Sequence, residues 1–368
     1  MNYLDALLQA RDERAHRQMM TESLSALRAS LGAGNTRSLA DAEREVQANP
    51  AAAFTFDEGG WARLEVLGST YTAGRFELLR IDDAKARLPR GNGKARVFVL
   101  SGSSPLSDIG ALQAFCGDGA VFQMASQFNG LESPGPYLSP VSAYLSDPTQ
   151  GPRAAVSAWP AALLRHYCAP RADGSRFVQT EAEQLDFLAE ACGPGVVRSG
   201  YFTAVGHEPG KLAKALEENF ERIAVGLHQG AQVLLGANWS GGVQGAPLIG
   251  QVQCSTAAGG GYGAERALGA YFDPVCRTLL RAVYLGTLLG ASLAGARRVL
   301  LTMIGGGVFG NRHETILEAI HWAVDHWQAL SPAEDLEVVL NSRSLPADFG
   351  PQVALAQAYE GRILVLSK

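Results

Sequence analysis

The run of apolar and polar positions divides the chain into helical and extended stretches. Leu4, Leu7 and Leu8, then Met19 or Met20, Leu24 and Leu27, recur at helical spacing, which predicts a helix over 1–31 ended by Gly32, Gly34 and Asn35. A second helical stretch runs from Leu39 to Gln47 and stops before Asn49-Pro50. Within 60–82, ARLEVLG and GRFELLRI alternate as strands do. The expectation is a helical N-terminal extension over 1–58 and a core domain over 59–368, with insertions at about 130–150 and 168–230.

The core pattern then alternates. ARVFVLSG (Ala95–Gly102) reads as a buried strand, Leu106 to Phe115 as a short helix, and GAVFQMAS (Gly119–Ser126) as a second strand. A long Gly/Pro/Ser loop follows through GLESPGPYLSP. Arg153 to Tyr167 is helical with Pro160 inside it, which predicts a kink. Residues 170–200 look irregular and 208–228 helical. Ala231–Asn238 is a strand candidate, Gly241 to Gly250 a loop, and LIGQVQCS another strand. Gly259, Gly260, Gly261 and Gly263 mark a turn before a long apolar helix. ARRVLLTM is a strand, Glu314–Leu330 a helix, LEVVLNS a strand and RILVLS the last one. Such alternation predicts an α/β sandwich on a mixed, largely parallel sheet.

Composition narrows the picture. Of 368 residues, 47% are hydrophobic and 18% charged, which fits a well-cored globular chain. The formal net charge is -5, and no Lys/Arg block is long enough for a nucleic-acid groove or an anionic membrane patch. The five cysteines (Cys116, Cys168, Cys192, Cys254, Cys276) form no C-x-x-C and have no histidine at zinc spacing, so free thiols are expected and no metal site. MNYLDALLQARDER lacks the apolar core of a signal peptide. Pro274 to Ala294, the most apolar long segment, carries Arg277 and Arg281 and reads as a buried helix rather than a membrane span. The expected setting is cytoplasmic, or that of an effector secreted without a Sec signal; oligomeric state stays open.

Two segments carry candidate chemistry. In LLTMIGGGVFGN (Leu300–Asn311), Gly305, Gly307 and Gly310 fit the G-x-G-x-x-G dinucleotide fingerprint. A strand precedes it and a helix follows, but the next strand ends in Asn341-Ser342-Arg343, with no acid for the ribose hydroxyls. No Gly-Lys-Ser/Thr follows either, so it is not a P-loop. What remains is a glycine turn whose exposed N–H groups sit at a helix start, an anion site needing no cationic side chain; the alternative is a tight turn without ligand. Asn311 and Glu314 resemble a capping box.

The second segment is QMASQFNGLESPGP (Gln123–Pro136) with DPTQGP (Asp147–Pro152). It follows an apolar strand, which puts it at the sheet's carboxyl edge. Gln127, Asn129, Glu132, Asp147, Thr149 and Gln150 suit hydrogen bonds to ribose hydroxyls and to a water or leaving group. Pro152 as an early helix residue would set the Thr149-Gln150-Gly151 backbone at another helix N-terminus. The alternative is turn chemistry, with Asp147 and Thr149 as caps and Gln127 on the surface.

In the order of a long apolar helix (Asp273–Ala294), a strand (Arg297–Thr302), the loop Gly305-Gly306-Gly307-Val308-Phe309-Gly310, a helix and a strand (Leu336–Leu340), the chain resembles the macrodomain, the ADP-ribose-binding α/β/α fold. It also resembles an atypical macrodomain-like group marked by S-Q-F-N-x-L-E and T-Q-G-P, through Ser126–Glu132, Thr149–Pro152, Gln253-Cys254-Ser255 and GGGVFGN. It departs from the wider family where Ala125-Ser126 replaces Ala-Asn, and the poly-ADP-ribose glycohydrolase signature of three glycines and Gln-Glu-Glu is absent. The slot of the adenine-binding Asp falls at Asp118 or Gln123.

The resemblance implies a three-layer α/β/α sandwich. It implies Gly305, Gly306, Gly307, Val308 and Phe309 around the diphosphate, with Phe309 on the ribose. Gly310 and Asn311 complete that loop, and Gln127, Asn129, Thr149, Gln150 and Gly151 form the opposite side. The implied partner is ADP-ribose or an ADP-ribosylated protein, with no further cofactor. The leading expectation is an ADP-ribosyl hydrolase in which Glu132 and Asp147 orient or deprotonate a water and Asn129 and Gln150 fix the distal ribose. A non-catalytic ADP-ribose reader and a nucleotide-phosphate enzyme of another class are the alternatives. His207, His228, His313, His321 and His326 share no spacing and are expected on the surface or satisfied; Trp322 and Trp327 fall in line with core positions. The Gly259–Gly263 turn is either a lid or a plain connection.

Overall fold

A computed structural model describes residues 3–10, 12, 14, 15, 17–19, 21, 22, 25, 36–102, 107–116, 119–135, 137–147, 149–236, 243, 247–342 and 349–366. Its strands are β1 (Phe54–Phe56), β2 (Ala62–Val66), β3 (Ser69–Arg80), β4 (Ala95–Gly102), β5 (Ala120–Ala125), β6 (Ala169–Pro170), β7 (Arg176–Phe177), β8 (Val197–Arg198), β9 (Tyr201–Phe202), β10 (Ala224–Gln232), β11 (Leu248–Cys254), β12 (Arg298–Thr302), β13 (Leu336–Ser342) and β14 (Ile363–Leu366). A ten-stranded sheet runs β1-β2-β3-β10-β11-β5-β12-β13-β4-β14, and β6-β7 and β8-β9 form two small ribbons. From β11 to β14 neighbouring strands are parallel. From β1 to β11 they are antiparallel.

The longer helices are α1 (Tyr3–Gln9), α2 (Thr36–Ala48), α3 (Ile81–Arg87), α4 (Ile109–Cys116), α5 (Gln150–Ser157), α6 (Trp159–Tyr167), α7 (Pro209–Glu218), α8 (Phe272–Leu293), α9 (His313–Ala329) and α10 (Gly350–Ala358). They lie on both faces of the sheet because the central strands are apolar on both faces. Successive side chains point to opposite sides. Thus Val97, Val99, Val299, Leu301, Val338 and Leu340 join one core with α3, α7, α8, α9 and α10. Phe98, Leu100, Phe122, Leu300 and Val339 join the other with α1, α2, α4, α5 and α6. The expected α/β/α sandwich on a mixed sheet is the observed architecture. No helix among the described residues is long and apolar enough to cross a membrane.

Several boundaries differ from expectation. Phe54–Phe56, inside the stretch expected to be helical, is strand β1 paired with β2. The helix expected over 208–228 ends at Glu218, and the strand expected from Ala231 starts at Ala224 as β10. Ala224 to His228 is buried at every position between β3 and β11, and such an unbroken apolar run has neither helical nor strand period. The helix expected over 153–167 is two helices, broken at Ala158 (φ -114, ψ 55). Pro160 therefore sits in the first turn of α6, where its missing N–H costs nothing, instead of kinking a continuous helix. Helices α3 and α10 had no counterpart in the pattern. Met20, Leu24, Leu27, Gly32, Gly34, Asn35, Pro136, Pro148, Asn238, Gly241, Arg343 and Ser367 lie outside the described residues.

The N-terminal helices are built into the second layer. Leu4, Leu7, Leu39 and Val46 are buried in its core. Asp5 pairs with Arg298 at 2.9 Å, and the Arg362 guanidinium donates to the Leu8 carbonyl at 2.8 Å. The buried Glu43 carboxylate of α2 accepts the Val141 N–H, the Ser142 N–H at 2.8 Å and the Tyr167 hydroxyl at 2.8 Å.

Candidate functional site

Strands β4, β5, β11, β12 and β13 all end at one edge of the sheet, where loops following parallel strands leave a crevice. A cleft of about 560 Å³ lies there.

One wall is the glycine loop after β12. Gly306 N–H donates to Met303 O at 3.0 Å, Gly310 N–H to Gly307 O at 3.1 Å and Asn311 N–H to Gly305 O at 2.9 Å. Gly305 has φ +75, and a Cβ there would lie 2.6 Å from Thr256 Cγ2, so glycine is required at this point. Among the described residues the N–H groups of Gly305, Gly307, Val308 and Phe309 have no protein acceptor. Asn311 is buried and faces away from the cleft. Its amide donates to Ala257 O at 3.0 Å and its Oδ1 accepts the Thr256 hydroxyl at 3.1 Å, which ties this loop to the one after β11. The expected capping box is not formed: Arg312 is the residue before α9, without a side-chain cap, because Asn311 is committed to the neighbouring loop.

Phe309 belongs to an aromatic group on the cleft wall. Its ring is 5.1 Å from that of Tyr262 and 6.2 Å from that of Tyr201, and the two tyrosines stack at 5.2 Å. Tyr262 sits in the Gly259–Gly263 turn, which the Gly259 N–H joins to Phe309 O at 2.9 Å. That turn borders the cleft.

The opposite wall carries the acid. Glu132 is 4% exposed; its N–H donates to the Tyr144 hydroxyl at 3.0 Å. Its Oε2 lies against Gly151 in the first turn of α5, and its Oε1 has no partner among the described residues. Burial pushes the Glu132 carboxyl well above the usual carboxylate range, opposed by the charge of Arg165 and assisted by that of Asp147. Asp147 is half-buried on the cleft, and its Oδ1 accepts the Thr149 N–H at 2.8 Å and the Thr149 hydroxyl at 2.6 Å. Helix α5 starts at Gln150, so Thr149, Gln150 and Gly151 stand at a helix N-terminus. Gln150 Oε1 accepts the Ala125 N–H at 3.3 Å while its Nε2 has no partner among the described residues. Gln127 is buried; its Nε2 donates to Ser133 O, and its Oε1 has no partner among the described residues.

The cleft thus brings together Gln127, Glu132, Asp147, Thr149, Gln150, Gly151, Gly305, Gly306, Gly307, Val308 and Phe309. It does not include Asn129, Gly310 or Asn311. Asn129 is buried behind it, donating to Gln184 at 2.9 Å and accepting the Leu131 N–H at 3.0 Å. Thr302, Asn341, Tyr201 and Tyr262 also line the cleft without having been singled out, and so does His313, which is exposed as expected but borders the site. Thr302 ends β12 and Asn341 is the next-to-last residue of β13, so the edge rule could have found them. Tyr201 comes from the β8-β9 ribbon, which left no periodic signal. His228 is satisfied in the core, between Ala73 O at 2.6 Å and Arg165 at 3.1 Å, and burial pushes it down to about 3. Trp327 is buried with Ile316, Ile320 and Val324, and Trp322 packs at the margin of that core. Cys168, Cys254, Cys276 and Cys192 are free thiols.

Fold and site together define an α/β/α protein with a polar, partly unsatisfied cleft at the carboxyl edge of a parallel sheet. The solved structures it is similar to include poly(ADP-ribose) glycohydrolases. That of Thermomonospora curvata is 14% identical with a TM-score of 0.46, over 88% of this chain and 98% of that one. The same enzyme bound to the inhibitor ADP-HPD is 14% identical with a TM-score of 0.41, over the same shares of 88% and 98%. The Deinococcus radiodurans enzyme in complex with ADP-ribose is 13% identical with a TM-score of 0.39, over 77% of this chain and 92% of that one. No protein-family model and no curated protein sequence matches the chain.

Proposed function

We propose that the cleft binds ADP-ribose and that the chain is an ADP-ribosyl hydrolase, freeing ADP-ribose from a modified protein side chain. The observation that carries this reading is one pairing within a single cleft. Among the described residues, four backbone N–H groups without acceptors line the same cleft as a buried carboxyl with an unpartnered oxygen. Buried polar atoms left unpaired cost about 1–3 kcal/mol each. Those of Gln127, Glu132, Gln150, Thr302 and Asn341 are therefore best understood as reserved for a polar ligand.

In this reading the Gly305–Phe309 amides take the diphosphate, assisted by the start of α9. Phe309 and Tyr262 cover a ribose face. Gln150 Nε2 and Gln127 Oε1 serve the ribose hydroxyls as donor and acceptor, and Asn129 shapes the Gln127–Leu131 turn. Glu132, whose hold on its proton is strengthened by burial, gives that proton to the leaving atom as the bond to the distal ribose C1 breaks. A water held by Asp147 then bonds to C1 and returns a proton to the Glu132 carboxylate.

Calorimetry with ADP-ribose against NAD, ADP and AMP tests the ligand, and failure to bind ADP-ribose overturns the reading. Release of ADP-ribose from arginine-, glutamate- or serine-modified proteins, by wild type and by Glu132→Gln, tests the chemistry. Tight binding with no release from any of them leaves a reader.

A further inference from the structure

Behind the Gly130–Glu132 turn, on the side away from the cleft, lies Arg165 of α6. It is 1% exposed. Its guanidinium donates to Gly130 O at 3.1 Å and Gln251 Oε1 at 3.3 Å, and sits 3.1 Å from His228 Nδ1. All three partners are neutral. Among the described residues Arg165 forms no ion pair, although a buried guanidinium without a counter-charge is costly. Burial lowers its affinity for the proton only to about 10, so it stays charged at neutral pH, and the carboxylate whose field acts on it is Glu132.

We propose that Arg165 is a positioning residue for the reaction: its buried charge behind the Gly130–Glu132 turn and its bond to Gly130 O hold the turn that presents the acid. This rests on the functional reading given above for Glu132. The other groups facing Glu132 do not supply that charge. Tyr144 from the turn before α5, Tyr201 from β9 and Cys254 from the end of β11 are each pushed upward by burial and are neutral at pH 7. Asp147 acts in the opposite direction. His228, beside Arg165, is neutral. Without Arg165, burial and Asp147 would act on Glu132 unopposed, and the acid would hold its proton too firmly to pass it on.

The test compares wild type, Arg165→Gln and Arg165→Lys for release of ADP-ribose across pH. Arg165→Gln should move the Glu132-dependent limb of kcat upward by about one pH unit or more, the size expected for losing a nearby opposite charge. KM should change less than twofold. Arg165→Lys keeps the charge and should leave the limb near its wild-type position. Coincident limbs in all three proteins overturn the proposal. If Arg165→Gln does not fold, carbon NMR of the intact protein decides. The Arg165 guanidinium signal should titrate with the midpoint of the Glu132 carboxyl and be flat in Glu132→Gln; a guanidinium indifferent to Glu132 overturns the proposal. A wild-type chain without hydrolytic activity sinks the hydrolase reading, while the NMR comparison still tests the coupling.

Discussion

Oε2 of Glu132 lies 2.3 Å from where a Cβ on Gly151 would stand. The acid therefore occupies space that only glycine leaves open at the start of α5, and the same imagined Cβ would lie 2.3 Å from the Ala125 carbonyl. Gly151→Ala is expected to displace the carboxyl and lower kcat by about 100-fold, with an overpacking cost of about 1–3 kcal/mol. Steady-state kinetics and thermal melts check both. Wild-type kcat in this variant would show that the Glu132–Gly151 contact has no part in turnover.

The raised proton affinity of Glu132 predicts a pH-dependent stability difference. The folded state binds this proton more tightly than the unfolded chain, whose value is near 4.5. The stabilisation is fully present below that value and is lost as pH rises through the folded value. The Tm of wild type relative to Glu132→Gln should therefore fall as pH is raised from about 4.5 toward neutrality and beyond. Parallel melts over that range check the sign; a difference that grows in favour of wild type with rising pH contradicts it.

The glycine loop offers a paired comparison. Gly305→Ala forces a side chain onto a backbone with φ +75 and into Thr256, so a loss of stability of about 1–3 kcal/mol is expected together with weaker ADP-ribose binding. A Cβ on Gly307 meets nothing within 4 Å. Gly307→Ala should leave Tm within a degree or two, about 0.5 kcal/mol, and reduce affinity alone. Melts and calorimetry on the two variants separate the fold from the ligand.

Glu43 holds the start of the turn that carries Tyr144 and Asp147, through the Val141 and Ser142 N–H groups. Glu43→Ala takes the acceptor from the Val141 and Ser142 N–H groups and the Tyr167 hydroxyl and is expected to destabilise by about 2–4 kcal/mol. It should also lower kcat, because Tyr144 supports the Glu132 backbone. Glu43→Gln, which keeps an acceptor for one of them, should recover part of both losses. Denaturant melts and kcat measured on the same preparations test the link.

The layered fold was legible because ARVFVLSG, ARRVLLTM and LEVVLNS are apolar at consecutive positions, as strands buried on both faces must be. The same property hid the true start of β10, where AVGLHQ has no period to read. Glycines at a strand's end identified the wall formed by Gly305–Phe309, since few other residues allow that backbone. Glu132 stood out as a carboxyl in a Gly/Pro loop. Arg165 did not, because a charged residue within WPAALLRHY reads as the solvent face of a helix, and only packing reveals that this helix is buried throughout. The role of Asn129 was equally hidden: nothing in SQFNGLE says that its amide turns toward Gln184, some 50 positions along the chain.

The bond from Arg362 to the carbonyl of Leu8 ties the first described helix to the segment entering β14, the outermost parallel strand. Elements 354 positions apart in the chain thus complete one another. The second hydrophobic layer, which supports the wall bearing Glu132, gains its full set of contacts only when these distant segments meet. High contact order of this kind favours slow folding and a long exposure of α1 and α2 to solvent and chaperones.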